Sequence, residues 1–186
     1  MNAASAVLEL FVDGAADADN DDNDDKKIAV RGKLDQKNHG MGQLDVNSFD
    51  ADAASLTAVR LYRFRVDPVA EDVTVGTTTV NISSYFGFVA SNFTNLKLFM
   101  DLNSDGAVDG GDLQIGGSGE ITLGSATGTI VFTEDWTATA TRDIILQGDV
   151  ASVDEGDYVA FALPDLNIAA VGGTSLESIP VRGLVV

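Results

Sequence analysis

Residues 101–112 (DLNSDGAVDGGD) place an oxygen-bearing group at every position that a calcium-binding loop requires. Gly106 stands at position six of this loop, where the chain must turn sharply. Because Ca²⁺ prefers a cage made only of oxygen atoms, the spacing predicts a Ca²⁺ site. The expected ligands at positions one, three, five, seven (through its carbonyl), nine and twelve are Asp101, Asn103, Asp105, Ala107, Asp109 and Asp112.

The last position of the loop holds Asp112, where a bidentate Glu is usual. The shorter side chain predicts weaker binding, with a dissociation constant on the order of 0.1–1 mM, as in extracellular calcium modules. Such a site is empty in a cytosol and filled outside the cell. The alternative interpretation is an acidic β-turn, rich in Asp and Gly, that holds no metal.

The segments on either side of the loop read as strands, whereas an EF-hand loop joins two helices. Residues 95–101 (NLKLFMD) alternate apolar and polar side chains with period two, and residues 112–124 alternate in the same way before their glycines. The sequence therefore predicts a metal site in a β-hairpin loop. Without the metal, several like charges would be crowded together. We interpret Ca²⁺ as a ligand for folding, with no substrate to act on.

Composition limits the classes of function that the chain can have. It has 186 residues, 45% of them hydrophobic, which suffices for one sizeable core. The net charge of −18 argues against nucleic acid as a partner and favours a cation-binding surface. With no cysteine the chain forms no disulfide, and no run of 18 apolar residues predicts a membrane span. The N-terminus has no basic n-region and no long apolar h-region, so it looks like a mature or trimmed form. From the expected millimolar calcium affinity we predict a secreted, cell-surface protein.

Short strand candidates follow one another along the chain, separated by Gly, Asn and Asp, and no long helical pattern appears. This pattern predicts an all-β, antiparallel β-sandwich, immunoglobulin-like or jelly-roll-like, over residues 55–186. Residues 1–54 are predicted to form an extension with an N-terminal strand and an acidic loop. Strands are expected in this domain at 57–66 (ended by Pro68), 72–75, 78–82, 85–89, 128–133, 142–150, 157–163, 166–170 and 178–186.

The acidic loop at 13–25 (DGAADADNDDNDD) has carboxylates at alternate positions 17, 19 and 21, as in a second calcium site. Asp22 stands where the glycine of such a loop is expected. A solvated charged linker is an equally good interpretation.

The run from residue 95 to 119, with TIVFT and the strands at 142–163 after it, resembles β-sandwich modules of secreted bacterial and archaeal surface proteins. The resemblance covers about residues 95–186, and its specific part is the calcium loop, which is also similar to the loops of dockerins and thrombospondin type 3 repeats. It implies an extracellular structural or adhesive role, with the side-chain ligands named above. It implies no particular catalysis.

The residues that could support catalysis are few, and we predict that the chain is not an enzyme. His39 is the only histidine and lies in the glycine-containing stretch NHGMG, which predicts a surface residue. A Ser-His-Asp triad or a multi-histidine metal centre is therefore hard to build. The pair Glu134–Asp135 could serve glycoside hydrolysis, but an Asp-rich chain produces such pairs by composition alone.

A carbohydrate-binding or adhesion module of a larger secreted protein is the alternative function. Sugar-binding faces need exposed aromatic rings, and four residues could provide them: Trp136, Tyr85, Phe86 and Phe88. The competing interpretation is that these rings fill the core. Sequons at Asn81 and Asn92 would carry glycans only if the source glycosylates asparagine.

The function that fits most features is a structural subunit that forms a homo-oligomer or polymer. Apolar strands are predicted near each end of the chain, at 6–12 (AVLELFV) and 179–186 (IPVRGLVV). Such a strand can complete the sheet of a neighbouring copy and propagate a filament or a surface layer. The alternative is that both strands pair within their own domain.

Overall fold

The computed structural model describes residues 32–44, 55–164 and 167–183, and these form an all-β, sandwich-like fold of two sheets. Most strand pairs are antiparallel, and one sheet curls into a half-barrel. Within these ranges there is no α-helix, and Ala90–Asn92 form a 3₁₀ turn. The strands are β1 Lys33–Lys37, β2 Ser55–Val69, β3 Val73–Phe86, β4 Phe93–Asp101, β5 Leu113–Ser118, β6 Glu120–Leu123, β7 Gly128–Phe132, β8 Trp136–Ala138, β9 Arg142–Ala151, β10 Tyr158–Ala162, β11 Ile168–Gly172 and β12 Val181–Arg182.

The first sheet has the strand order β12-β1-β2-β9-β4-β5, and only the β12–β1 pair is parallel. The second sheet is built around β3. One side of β3 pairs with β10 and β11, and the other side pairs with β7 and β8, while β6 pairs with β7. The calcium-loop candidate joins β4 to β5, the antiparallel hairpin that the sequence predicts.

Alternating side chains from both sheets fill one core. Along β2, Phe64 and Val66 point inward, as the period of two predicts. Burial of this apolar surface is the main stabilising contribution to such a fold. The largest fully buried side chains are Phe64, Phe132, Leu34, Ile82, Leu98, Ile130, Ile144, Ile145 and Leu146.

Two sequence-based strand boundaries are wrong. The three strands predicted between residues 72 and 89 are one continuous strand, β3, because neighbours on both sides hold it extended through Gly76. Pro68 does not end β2 but pairs with Leu34 one residue before the strand ends. Proline is tolerated near the end of a strand where no ladder hydrogen bond from its nitrogen is needed.

Residues 32–44 belong to the body of the fold. β1 pairs with the last part of β2, and residues 38–44 then run towards the β4–β5 loop. Residues 1–31, which include the predicted strand at 6–12 and the acidic loop, lie outside the described residues. No helix in the described ranges is long and apolar enough to cross a membrane.

Candidate metal site

The β4–β5 loop is closed by hydrogen bonds between its own acidic side chains and its backbone amides. The Asp105 carboxylate accepts from the Ala107 N–H at 2.8 Å, and the Asn103 side-chain oxygen accepts from the Asp105 N–H at 3.1 Å. Asp112 accepts from the Leu102 N–H at 3.0 Å and from the Asp109 N–H at 2.9 Å. Because each bond ties a side chain to a backbone group inside the loop, the loop is tightly curled.

Asn103 brings three of the predicted ligands together. Its side-chain NH₂ donates to Asp105 at 3.0 Å and to Asp109 at 3.3 Å. A hydrogen-bond donor thus stands between two carboxylates, where a cation would also be favourable. In this arrangement no three His, Asp or Glu side chains of the described residues converge as a ready-made metal cage.

Among the predicted ligands, the carboxylate of Asp101, the last residue of β4, gives the most information about cation binding. Its side chain has no exposed surface. One oxygen, Oδ2, accepts a hydrogen bond from the Gly106 N–H at 2.8 Å, but the other, Oδ1, is buried and has no hydrogen-bond partner among the described residues. Leaving a charged oxygen buried without a partner is unfavourable by several kcal/mol, on the order of the desolvation penalty of an ion. This orphaned oxygen belongs to the first predicted calcium ligand.

His39 lies behind Asp101 and orients it. The Met41 N–H donates to Nδ1 of His39 at 3.1 Å, so Nδ1 carries no proton, and Nε2 faces Oδ2 of Asp101 at 3.2 Å. The ring is therefore a neutral imidazole that donates one hydrogen bond to Asp101. Burial lowers the pKa of His39 below its ordinary value, although the nearby carboxylate of Asp143 opposes this. A neutral ring orients Asp101 without balancing its charge.

Asp143 of β9 is the second buried carboxylate here, paired across the sheet with Asp101. Unlike Asp101, it has a cationic partner, because Arg65 binds both of its oxygens at 2.9 and 2.6 Å. The Gly40 N–H donates to it at 2.9 Å, and Ser104 of the loop also bonds to it. Burial alone would raise the pKa of Asp143, but the bonds from Arg65 and Gly40 outweigh it and lower that pKa.

Two further arginines of β2 hold the loop and the 38–44 segment together. Arg60 donates to the carbonyl of Gly106, and Arg63 donates to the carbonyls of Met41 and Gln43 at 3.4 and 2.9 Å. Gly106 itself has a positive φ of 75°. A Cβ added there would lie 2.5 Å from a nitrogen of Arg63. The tight packing explains why position six requires glycine.

Of the six predicted ligands, Asp101 ends β4 and the other five lie in the loop that follows it. The structure also identifies residues that the sequence did not indicate. The prediction that His39 is a surface residue is wrong, since only 2% of it is exposed. The sequence does not indicate Asp143 and Arg65, because they bond to each other across 78 residues and Gly40 bonds to Asp143 across 103. The one signal in the sequence for a role of Asp143 is its charge, which directly precedes the apolar residues 144–146 of β9.

The other predicted sites have different environments. Trp136 and Phe88 are buried, as the core interpretation predicts, whereas Phe86 is 63% exposed. Glu134 and Asp135 line an open cleft of about 490 Å³ beside Trp136. His39, the only histidine of the sequence, is buried behind the β4–β5 loop.

Comparison of the chain with family models, with curated proteins and with solved structures finds no match.

Proposed function

We propose that this chain is a secreted, calcium-stabilised structural protein, the subunit of an extracellular filament or surface layer that is assembled by β-strand addition. Its fold in this proposal is an immunoglobulin-like or jelly-roll-like sandwich. The observation that carries the proposal is the buried, unpartnered Oδ1 of Asp101 at the first position of a complete calcium-loop sequence. No enzymatic activity is part of it.

The residues present fit Ca²⁺ by their chemistry. Asp101, Asn103, Asp105, Asp109 and Asp112 offer side-chain oxygens and Ala107 offers its carbonyl, and hard divalent cations select oxygen ligands. The ion would supply the positive charge that Asp101 lacks. The Asn103 amide would have to turn so that its oxygen, in place of its NH₂, faces the ion, and its bond from the Asp105 N–H would then be given up for the bond to the ion.

The loop joins neighbouring strands of one sheet and contacts β2 through Arg60 and β9 through Ser104. Its ligands are therefore coupled to the sheet and to the 38–44 segment. An ion that binds the folded loop and not the unfolded chain stabilises the fold. This coupling supports a structural role for Ca²⁺, which at millimolar affinity is bound outside the cell.

Calcium binding is tested by titrating the chelated protein with Ca²⁺ in a calorimeter. We expect a dissociation constant on the order of 0.1–1 mM for one site at 101–112. The Asp105→Asn variant keeps a side-chain oxygen for the Ala107 N–H and removes one charge, and should bind at least about tenfold more weakly. Glu155→Gln, an exposed acid outside the loop, is the matched control and should bind as the parent protein does. Equal affinity in all three proteins would contradict the site.

Assembly is tested by negative-stain electron microscopy of chelated protein before and after addition of millimolar Ca²⁺. Ordered filaments or sheets after the addition support the structural subunit, because bound cations reduce the repulsion between chains of net charge −18. Dispersed particles in both states would reject the assembly.

A second candidate, a carbohydrate-binding or adhesion module, is favoured by one observation. Phe86 and Tyr158 are both largely exposed and lie nearly parallel, with ring centroids 6.3 Å apart and an interplanar angle of 18°. Exposed, nearly parallel rings can stack against sugar faces. Retention of the dispersed protein on a polysaccharide column, lost in Phe86→Ala, would support this candidate.

A further inference from the structure

The described part of the fold leaves two strand edges open on the same side. β10 pairs with β3 on one side, and no described residue pairs with its other side. β2 pairs with β1 only along Lys33–Lys37, so residues 55–61 have β9 on one side and no described strand on the other. Each open edge presents backbone groups that can pair with an added strand.

These two edges lie beside each other, one in each sheet. The chain leaves β9 at Ala151, opposite Ser55 at the start of β2, and enters β10 a few residues later. At the far end, Leu163 bonds to the side chains of Gln36 and Tyr62. We call the space between residues 55–61 and β10 the lateral groove; the contacts of Leu163 close one end of it.

The lateral groove is apolar and incompletely covered. Leu56 and Val59 from β2, and Val159 and Phe161 from β10, pack against the core but are only partly buried. β10 has the sequence YVAFA, with neither a charged residue nor a proline to protect the edge. Its register shift with β3 skips Ser83, so the extra residue lies in β3 and β10 stays regular.

Residues 6–12 (AVLELFV) have the pattern of a strand that fits this groove. Leu8, Leu10 and Val12 fall on one face, and Val7, Glu9 and Phe11 fall on the other. An inward face of two leucines and a valine would cover Val159 and Phe161, and Glu9 would face outward between Val7 and Phe11. The seven residues also suffice to span the five residues of β10.

The segment that follows, residues 13–25, contains seven aspartates. Seven like charges in a linker repel one another and the acidic body of the protein, whose net charge is −18. The 19 residues from 13 to 31 can reach about 60 Å at most. This reach and repulsion favour donation to a neighbouring molecule over return to the same one.

We infer that the lateral groove is the acceptor site for residues 6–12 of a second copy of this chain, which would form a strand beside β10. The inference rests on the proposed assembly and names the surface at which it occurs. Each molecule then donates one strand and accepts another, so the contact is head-to-tail and can propagate.

The inference is tested by disulfide crosslinking between two full-length variants, which the absence of native cysteine permits. Glu9→Cys and Ala160→Cys, both on the outward face, are mixed in Ca²⁺ and oxidised. We expect a crosslinked dimer on a denaturing gel at about ten times the yield given by Glu9→Cys with Thr122→Cys. Thr122 is exposed on β6, another edge strand, and serves as the matched control.

The outcomes separate this inference from the proposed function. Filaments in Ca²⁺ with equal or lower crosslinking at Ala160 than at Thr122 would overturn the groove assignment and leave the assembly standing. The Glu9→Cys/Ala160→Cys double variant would form an internal disulfide if residues 6–12 return to their own groove. That internal bond, without crosslinks between copies, would overturn the inference, and absence of any assembly would overturn both proposals.

Discussion

The β4–β5 loop and the lateral groove each leave groups without a full set of partners, but the groups are charged in the loop and apolar in the groove. The loop has an excess of buried negative charge, seen in the unpartnered oxygen of Asp101. The groove has an excess of partly covered apolar surface, at Val159 and Phe161. A charge is satisfied by an ion and an apolar edge by a strand, so the two regions indicate two different ligands.

The neighbouring carboxylates Asp101 and Asp143 also differ in the partners that the protein gives them. Both are 2% exposed, and they pair across β4 and β9. Asp143 is neutralised within the protein by Arg65, whereas the side chain that contacts Asp101 is the neutral ring of His39. Among the described residues, the protein thus pairs one buried carboxylate with a cationic side chain and the other with a neutral ring.

Removing residues 1–12 should have the largest effect on the groove. Because the donor strand is lost, we expect no polymer in Ca²⁺, while the monomer remains folded. Electron microscopy and circular dichroism measure the two results. Glu9→Gln, which keeps the strand and alters only its outward face, is the control and should polymerise. Persistence of polymers after the deletion would reject strand donation by this segment.

Replacing Arg65 by Met should have the largest effect on stability near the loop. It leaves Asp143 buried without its cation, which we expect to lower the free energy of unfolding by about 3–5 kcal/mol. Urea denaturation measures the loss. Arg142→Met removes a neighbouring arginine whose side chain bonds only to a backbone carbonyl, and should change stability by less than about 1 kcal/mol. Similar losses in the two variants would contradict the role given to Arg65.

Gly106→Ala should destabilise the loop, because a side chain at a φ of 75° is strained and would approach Arg63. We expect a loss of about 1–2 kcal/mol and weaker Ca²⁺ binding. Gly110→Ala is the matched control, since a Cβ there meets nothing within 4 Å. Thermal unfolding and calcium titration of both variants measure the difference; a neutral Gly106→Ala would show that the loop is not tightly held.

The smallest predicted effect concerns Glu71, which belongs neither to the β4–β5 loop nor to the lateral groove. Burial would raise its pKa, but hydrogen bonds from Ser175, Gly32 and Thr174 outweigh it and lower the pKa to about 2. A lowered folded-state pKa stabilises the fold above the unfolded-state value of 4.5, and this stabilisation is lost as pH falls from about 4.5 to about 2.

We expect that loss to be about 1–2 kcal/mol, reduced because the carboxyl is partly open to solvent. The measurement is urea denaturation of the parent protein and of Glu71→Gln between pH 6 and pH 2. The variant should be less stable at pH 6 and should lose less stability as the pH falls. Parallel pH profiles would contradict the assignment. Glu155→Gln, at an exposed acid, should follow the parent protein throughout.

The sequence predicted the local features well because they depend on spacing along the chain. The loop, its hairpin and the inward faces of β2 all follow from periods of two and from the glycine at position six. The burial of His39 was missed because a glycine-rich stretch resembles a surface loop, and only the packing of residues 38–44 on the β4–β5 loop encloses it. The role of Arg65 depends on a partner 78 residues away.

The central claim is that Asp101 is a calcium ligand whose charge the protein leaves unbalanced. Its most direct test is the thermal unfolding of the parent protein and of Asp101→Asn, each in chelator and in 10 mM Ca²⁺. For a dissociation constant of about 0.1–1 mM, Ca²⁺ should stabilise the parent protein by about 1.4–2.7 kcal/mol, or about 3–10 °C.

Asp101→Asn removes the unbalanced charge, so in chelator the variant should be at least as stable as the parent protein, and Ca²⁺ should not raise its unfolding temperature. The opposite result, a variant that is less stable in chelator and is still stabilised by Ca²⁺, would contradict the account. In that case the buried carboxylate would be a structural group and the ion would bind elsewhere.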